Sequence, residues 1–349
     1  MPLKFVFGPS GSGKSTYLYQ HVIEESEKYP LKNFIVLVPE QFTMQTQKDL
    51  VSMHPRHGIM NIDVLSFARL AYRVFEETGT KQMQVLDDEG KNLILRKIAG
   101  DYENKLTVLK GNIKKLGYIS EVKSVISEFT QYDIGEEEID EMLDHLDEDS
   151  RLYYKLKDIR LLYEGFQDYL RERYITKEEL LDVLNSQVKE SELLKNSVVV
   201  LDGFTGFTPV QNRLILELMR CCKEVWVTVT MDERENPYAY KHPYQLFGLS
   251  KQMVTTLVRM AGEDHIEVEE PVCLYGYPVK RFEKNQELAF LERNIFRYGS
   301  GRYDKAVENL EIHAAGNPRQ EADAVAEGIR RLVRKEQYRY RDIGVIVSD

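Results

Sequence analysis

Nine consecutive residues near the amino terminus have the types and spacing to hold a phosphate: Gly8, Pro9, Ser10, Gly11, Ser12, Gly13, Lys14, Ser15 and Thr16. They fit G-x-x-x-x-G-K-[ST] and directly follow residues 3–7, Leu-Lys-Phe-Val-Phe, which read as a short buried strand. The glycines let backbone N–H groups turn inward around an anion, and a helix starting after the loop points its positive end at the same place. In that arrangement Lys14 reaches β and γ phosphates and the Ser15 hydroxyl ligates Mg²⁺, so the expected cofactors are ATP and Mg²⁺. Far downstream, the apolar run Val198-Val199-Val200-Leu201 ends in Asp202, the residue type that holds Mg²⁺ from the opposite side.

These side chains need a sheet to carry them, and the chain supplies one in pieces. Residues 17–27 read as a helix ended by Tyr29-Pro30, and residues 34–38 as an apolar strand stopped by Pro39, which completes a βαβ unit. A helix over 41–51 and a strand over 62–65 follow, and Ser66 is placed to cap a helix with Phe67, Leu70, Ala71 and Val74 on one face. Strands at 198–201 and 225–229 flank a helix over 210–219. The alternation predicts an α/β protein with a mostly parallel sheet and helices on both faces.

Between about 85 and 195 the pattern is helical and strand-like runs vanish. Leu152, Leu156, Ile159, Tyr163, Phe166 and Leu170 form an amphipathic stripe. Five tyrosines lie between 153 and 174 among Arg151, Lys155, Lys157, Arg160, Arg171 and Arg173. Such interleaving suits single-stranded nucleic acid, but the regular spacing makes a core stripe with solvated charges the preferred reading. Beyond 230 the expected order is a loop at 237–244, a helix at 245–262, a short strand near 266, a loop through Pro271 and Pro278, and a helix at 284–297. Strands at 310–315 and 343–347 enclose a helix at 319–335. The last strand meets the end of the chain, so the sequence is expected to be part of a longer protein.

With 349 residues the chain is long enough for two or three units. Its 47 basic and 57 acidic residues leave a net charge of −10, which excludes a protein that coats DNA non-specifically while permitting a local basic groove. Nine carboxylates without a Lys or Arg at 136–149, and the basic cluster at 330–335, read as solvated helix faces. No apolar run approaches a membrane span and the first residues form a strand rather than a signal peptide, so a cytoplasmic protein is expected. Cys221, Cys222 and Cys273 lack metal spacing and are expected to be reduced, mostly buried thiols.

Several strings together resemble the motif series of superfamily 1 DNA helicases, and most closely the B-subunit family of the bacterial AddAB (RexAB-like) helicase–nucleases. Besides the glycine-rich loop they are Leu37-Val38-Pro39-Glu40-Gln41-Phe42-Thr43, Leu65-Ser66-Phe67-Ala68-Arg69-Leu70-Ala71, Leu201-Asp202-Gly203-Phe204 with Phe207-Thr208-Pro209, and the closing residues 338–347. The resemblance implies a P-loop NTPase domain 1A built from 1–84 and 195–300, a helical domain 1B at 85–194, and the start of an α/β domain 2A at 301–349. It also implies an AddA-type partner subunit, a role on single- and double-stranded DNA ends in recombinational repair, and a nuclease domain with iron–sulfur cysteines in a C-terminal part beyond this chain. Gln41, Thr43, Ser66, Phe67 and Arg69 match the family's strand-contacting motifs and are the candidate DNA contacts.

Departures from an active helicase are specific. Asp202 is followed by Gly203 where active members carry Glu to activate water; no glutamine precedes the loop to read adenine; and Thr230-Met231-Asp232-Glu233 replaces Gly-Asp-x-x-Gln. The expectation is a nucleotide-binding, hydrolysis-poor scaffold. One alternative is an active translocase in which Asp232 or Glu233 replaces the missing Glu. Another is a small P-loop phosphotransferase, disfavoured by the long helical insertion.

Overall fold

The computed structural model describes residues 2–79, 84–113, 115–171, 174–297, 299 and 301–347, so Arg173 lies outside the described residues. Two compact units form, Met1–Arg281 and Phe282–Asp349. The first opens with β1 (Leu3–Gly8), α1 (Lys14–Lys28), β2 (Asn33–Leu37), α2 (Thr43–Met53), β3 (Ile62–Leu65) and α3 (Phe67–Thr78). A helical stretch follows: β4 (Gln84–Leu86), α4 (Asp88–Asp101), α5 (Leu116–Gln131), α6 (Glu136–Asp144), α7 (Arg151–Leu170) and β5 (Tyr174–Thr176). After α8 (Leu180–Gln187) and α9 (Glu192–Lys195) come β6 (Ser197–Leu201), α10 (Pro209–Cys221), β7 (Glu224–Thr230), α11 (Gly248–Glu263) and β8 (Val272–Cys273).

Six strands make one sheet in the order β3-β2-β6-β7-β1-β8, and every pairing is parallel. Strand periodicity divides the side chains between two cores. Phe5, Phe7, Ile35, Leu37, Val199, Leu201, Val227 and Val229 face a layer containing Leu70 and Val74 of α3, Leu184 of α8, Leu214 and Leu218 of α10 and Leu257 of α11. Val6, Phe34, Val36, Val198, Val200 and Trp226 face Leu18, Val22 and Ile23 of α1 and Leu50 of α2. Because both faces are covered, the strands read as continuous apolar runs rather than alternating ones. All strand carboxyl ends therefore point to one edge, where the α/β architecture leaves room for a ligand.

Local signals start the helices that leave this edge. Ser66 accepts a hydrogen bond from the Arg69 N–H at 3.4 Å and caps α3. Thr208 and Gln211 cap α10 reciprocally, with Pro209 at its first position.

The helical stretch is divided between two bodies. Helices α4 to α7 enclose their own core, including Leu95, Ile113, Ile126, Ile139, Leu162 and Phe166. The α7 stripe is core at Ile159, Tyr163, Phe166 and Leu170, whereas Leu152 is exposed. Helices α8 and α9 instead pack on the sheet through Leu180, Leu184 and Leu194. Inside the bundle, buried Asp158 accepts hydrogen bonds from the backbone N–H groups of Thr107, Val108 and Leu109, each at 2.8 Å, and so shapes the turn after α4.

Three expectations need correction. Strands do occur around the helical stretch: β4 and β5 pair in parallel and bring its two ends together. The sixth strand of the main sheet is Val272–Cys273, within the expected loop, while the strand expected near 266 is reduced to a single bridge between Leu3 and Val268. In the second unit, α12 (Gln286–Asn294) and α13 (Pro318–Lys335) form, but no strand occurs among the described residues at 310–315 or 343–347. A strand is stable only with a lateral partner for its N–H and C=O groups. Among the described residues these segments have none, and Ile312, Val345 and Ile346 are exposed. Among the described residues, no helix is long and apolar enough to cross a membrane.

Lys91 of α4, 2% exposed, pairs with Glu178 at 2.6 Å and donates to Ser127 Oγ at 3.2 Å. Burial alone raises the Glu178 carboxyl pKa, but the Lys91 hydrogen bond and charge outweigh it and leave it lowered. A depressed carboxyl contributes stability above its unfolded pKa and loses it as pH falls through the folded value. Lys91→Met, which strands that carboxylate, is expected to cost about 3–5 kcal/mol in denaturant unfolding. Adding Glu178→Leu should restore most of the loss.

Candidate functional site

The chain leaves β1 at Gly8 and enters α1 at Lys14, so the glycine-rich loop lies at the carboxyl edge of the sheet. Gly11 and Gly13 both have positive φ, 84° and 95°. At Gly11 a side chain is excluded twice, because a Cβ there would lie 2.7 Å from Arg281 Cβ. The first hydrogen bond of α1 runs from Tyr17 N–H to Gly13 C=O, so the N–H groups of residues 14–16 precede any intrahelical acceptor.

Lys14 Nζ donates to the carbonyls of Gly8 and Pro9 at 2.9 and 3.0 Å. Burial lowers its pKa to about 8; the Asp202 charge opposes that shift and Arg281 adds to it. The Ser15 hydroxyl donates to Asp202 Oδ1 at 3.1 Å, although 187 positions separate the two residues. Parallel pairing of β2 with both β3 and β6, and of β6 with β7, brings Asp202 to this edge, where its own N–H bonds Leu37 C=O at 2.9 Å. Lys14, Ser15 and Asp202 line one cleft of about 490 Å³. Lysine, hydroxyl and carboxylate oxygen match the donors that a magnesium–phosphate group requires. Buried Ser12 Oγ, within the loop, has no hydrogen-bond partner among the described residues.

Sequence reasoning missed two cations. Lys280 and Arg281 line the same cleft, and the Arg281 N–H bonds Gly11 C=O at 3.0 Å. They lie far along the chain from Gly8, and no local spacing distinguishes them from other basic pairs; only the return of β8 beside β1 brings them here. Gly203 has φ 80°, and its N–H points to Thr228 Oγ1 at 3.3 Å. Asp232 is held by Arg234, whose backbone N–H and Nε both contact Oδ1 at 2.8 Å.

The five candidate DNA contacts occupy different environments. Gln41 and Arg69 are both exposed. Thr43 is buried and donates to Glu40 C=O at 3.0 Å; Ser66 is buried as the α3 cap. Phe67 is buried against Phe204 and Phe207, with ring centroids 5.4 and 6.4 Å away. Among the described residues no group of three or more His, Cys, Asp or Glu gathers as a metal site; contrary to expectation only Cys222 of the three cysteines is buried, Cys221 being half-buried and Cys273 exposed.

The class defined by this geometry is an α/β protein with a parallel sheet whose carboxyl edge bears a glycine-rich strand–loop–helix junction. More narrowly, the chain belongs to the family described as ADDB, N-terminal, whose sequence model matches residues 5–292. It is 44% identical to the B subunit of the ATP-dependent helicase/deoxyribonuclease of Lachnoclostridium phytofermentans, over 99% of this chain and 30% of that protein. It is 31% identical to the protein of the same description in Clostridium acetobutylicum and 34% to that in Clostridium kluyveri, in both cases over 100% of this chain and 30% of the relative. The chain thus spans 30% of the length of these relatives.

Two measurements follow from Lys14. Lys14→Ala is expected to weaken ATP binding at least about tenfold, or about 1.4 kcal/mol. Its charge is present below its folded pKa of about 8 and lost above it, so wild-type affinity should fall as pH rises through that value. Lys14→Ala should lack that decline when both are titrated calorimetrically.

Proposed function

We propose that this chain is the ATP-binding, helicase-like part of the B subunit of an ATP-dependent helicase/deoxyribonuclease that processes double-strand breaks for recombinational repair. The observation that carries the reading is the meeting of Lys14, Ser15 and Asp202 in one cleft at the carboxyl edge of a parallel sheet. The family membership and the names of the relatives support it. In this reading the fold is a P-loop NTPase of the superfamily 1 type. Its nucleotide domain is formed by 1–84 and 195–300, 85–194 is a helical insertion, and 301–349 opens a further domain. The protein acts in the cytoplasm on DNA ends, with an AddA-type subunit as its partner. The iron–sulfur cluster of this reading belongs to a part outside this chain.

Bound Mg²⁺ would supply charge neutralisation for the phosphates. Ser15 and Asp202 would hold it, while Lys14, Lys280 and Arg281 surround the phosphates with positive charge. A positioned water is the missing part. Gly203 has no side chain, and its positive φ disfavours the Glu that active members carry there. Of the two alternative carboxylates, Asp232 and Glu233, Asp232 is already committed to Arg234. The expected product is a nucleotide-bound scaffold rather than a motor. DNA runs along the same sheet edge, contacted directly by Gln41 and Arg69; Thr43, Ser66 and Phe67 hold the backbone and aromatic surface beneath it.

The test uses the full-length subunit with its partner, the partner's own P-loop lysine being mutated. Turnover should stay far below about 1 s⁻¹ with DNA present, and DNA-stimulated hydrolysis above that rate would overturn the scaffold reading. Arg69→Ala should weaken single-strand DNA binding in the same complex without changing ATP affinity; an unchanged DNA isotherm would remove this edge from the DNA path.

A further inference from the structure

Asp202 is held on both of its oxygens. Oδ1 accepts from Ser15 Oγ at 3.1 Å and from Thr228 Oγ1 at 2.6 Å, whereas Oδ2 accepts from the Tyr19 hydroxyl at 2.7 Å. Tyr19 lies one turn beyond Ser15 on α1, is 6% exposed, and packs in the core beneath the cleft with Val22 and Trp226. Its hydroxyl also meets Thr46 Oγ1 of α2 at 3.3 Å, and Thr46 is 5% exposed.

The directions of these bonds follow from proton counting. An ionised carboxylate only accepts, and a phenol has one proton. Tyr19 gives that proton to Asp202, so Thr46 must give its own to the Tyr19 oxygen. A carboxylate turns freely about its terminal torsion unless its oxygens are held. Asp202 lines the cleft, and its Oδ2 is tied back to Tyr19 in the core.

We propose that Tyr19 is a positioning residue for the divalent cation: its hydroxyl fixes the Asp202 carboxylate so that Oδ1 and Ser15 together face Mg²⁺, and Thr46 orients that hydroxyl from α2. This rests on the reading of the cleft as an ATP and Mg²⁺ site, and extends it to a residue that touches neither. It also ties the cation site to α2, the helix that begins just after Gln41.

The test is the ratio of ATP dissociation constants measured by calorimetry in EDTA and in excess Mg²⁺, on the complete chain. Tyr19→Phe keeps the packed ring and removes only the hydroxyl. The ratio should fall by about tenfold, the low end for loss of a group that orients a metal ligand, while the metal-free constant is unchanged. Thr46→Val, outside the cleft, should move the ratio in the same direction. An unchanged ratio in Tyr19→Phe overturns the proposal, as does an equal loss with and without Mg²⁺, which would mark Tyr19 as packing alone. If wild type binds no ATP under either condition, the nucleotide reading fails and the role of Tyr19 fails with it, a pattern distinct from the other two.

Discussion

Asp202 accepts hydrogen bonds from three hydroxyls contributed by α1 and β7, and it does so at the end of a strand five residues long. A buried carboxylate is tolerable only when its oxygens are satisfied, so this group fixes the register of everything around it. β6 must end level with β2 and β7, α1 must start within reach, and Thr228 must point to the same face. The parallel sheet makes that possible, because its strands share one direction and their ends share one edge.

The loop at that edge is shaped by backbone geometry as much as by charge. Gly11 and Gly203, which both line the cleft, sit in the left-handed region. At Gly11 this conformation brings the chain beside Arg281. At Gly203 it turns the N–H toward Thr228 and leaves no side chain at that point of the cleft. The glycine after Asp202 is therefore a conformational feature, since any other residue there would have to adopt the left-handed backbone.

Away from the cleft, buried polar groups do what apolar packing cannot. Asp158 holds three consecutive backbone N–H groups of an irregular turn, and Lys91 with Glu178 joins the helical bundle to the segment that leads back to the sheet. At the surface, Arg213 of α10 donates to Asp182 at 2.8 Å and also pairs with Asp133. Such contacts are directional, so they specify one arrangement where greasy surfaces would permit several.

Local chemistry decided what the sequence could determine alone. The strand–loop–helix at residues 3–28, the apolar runs at 34–38, 198–201 and 225–229, the Ser66 cap and the α7 stripe all follow from periodicity, capping and glycine spacing, and each depends on residues a few positions apart. So does the selection of Lys14 and Ser15, which sit in a contiguous motif. Tertiary structure decided whatever needs a distant partner. The strand-like segments at 310–315 and 343–347 have suitable side chains but no neighbouring ladder among the described residues, and β8 forms in a proline-flanked loop because β1 offers it a free edge. Lys280 and Arg281 reach the cleft, Tyr19 reaches Asp202 and Thr46 reaches Tyr19 only after the sheet has closed the intervening chain. No spacing rule encodes those contacts, since burial and hydrogen-bond satisfaction are properties of the packed molecule rather than of a window of residues.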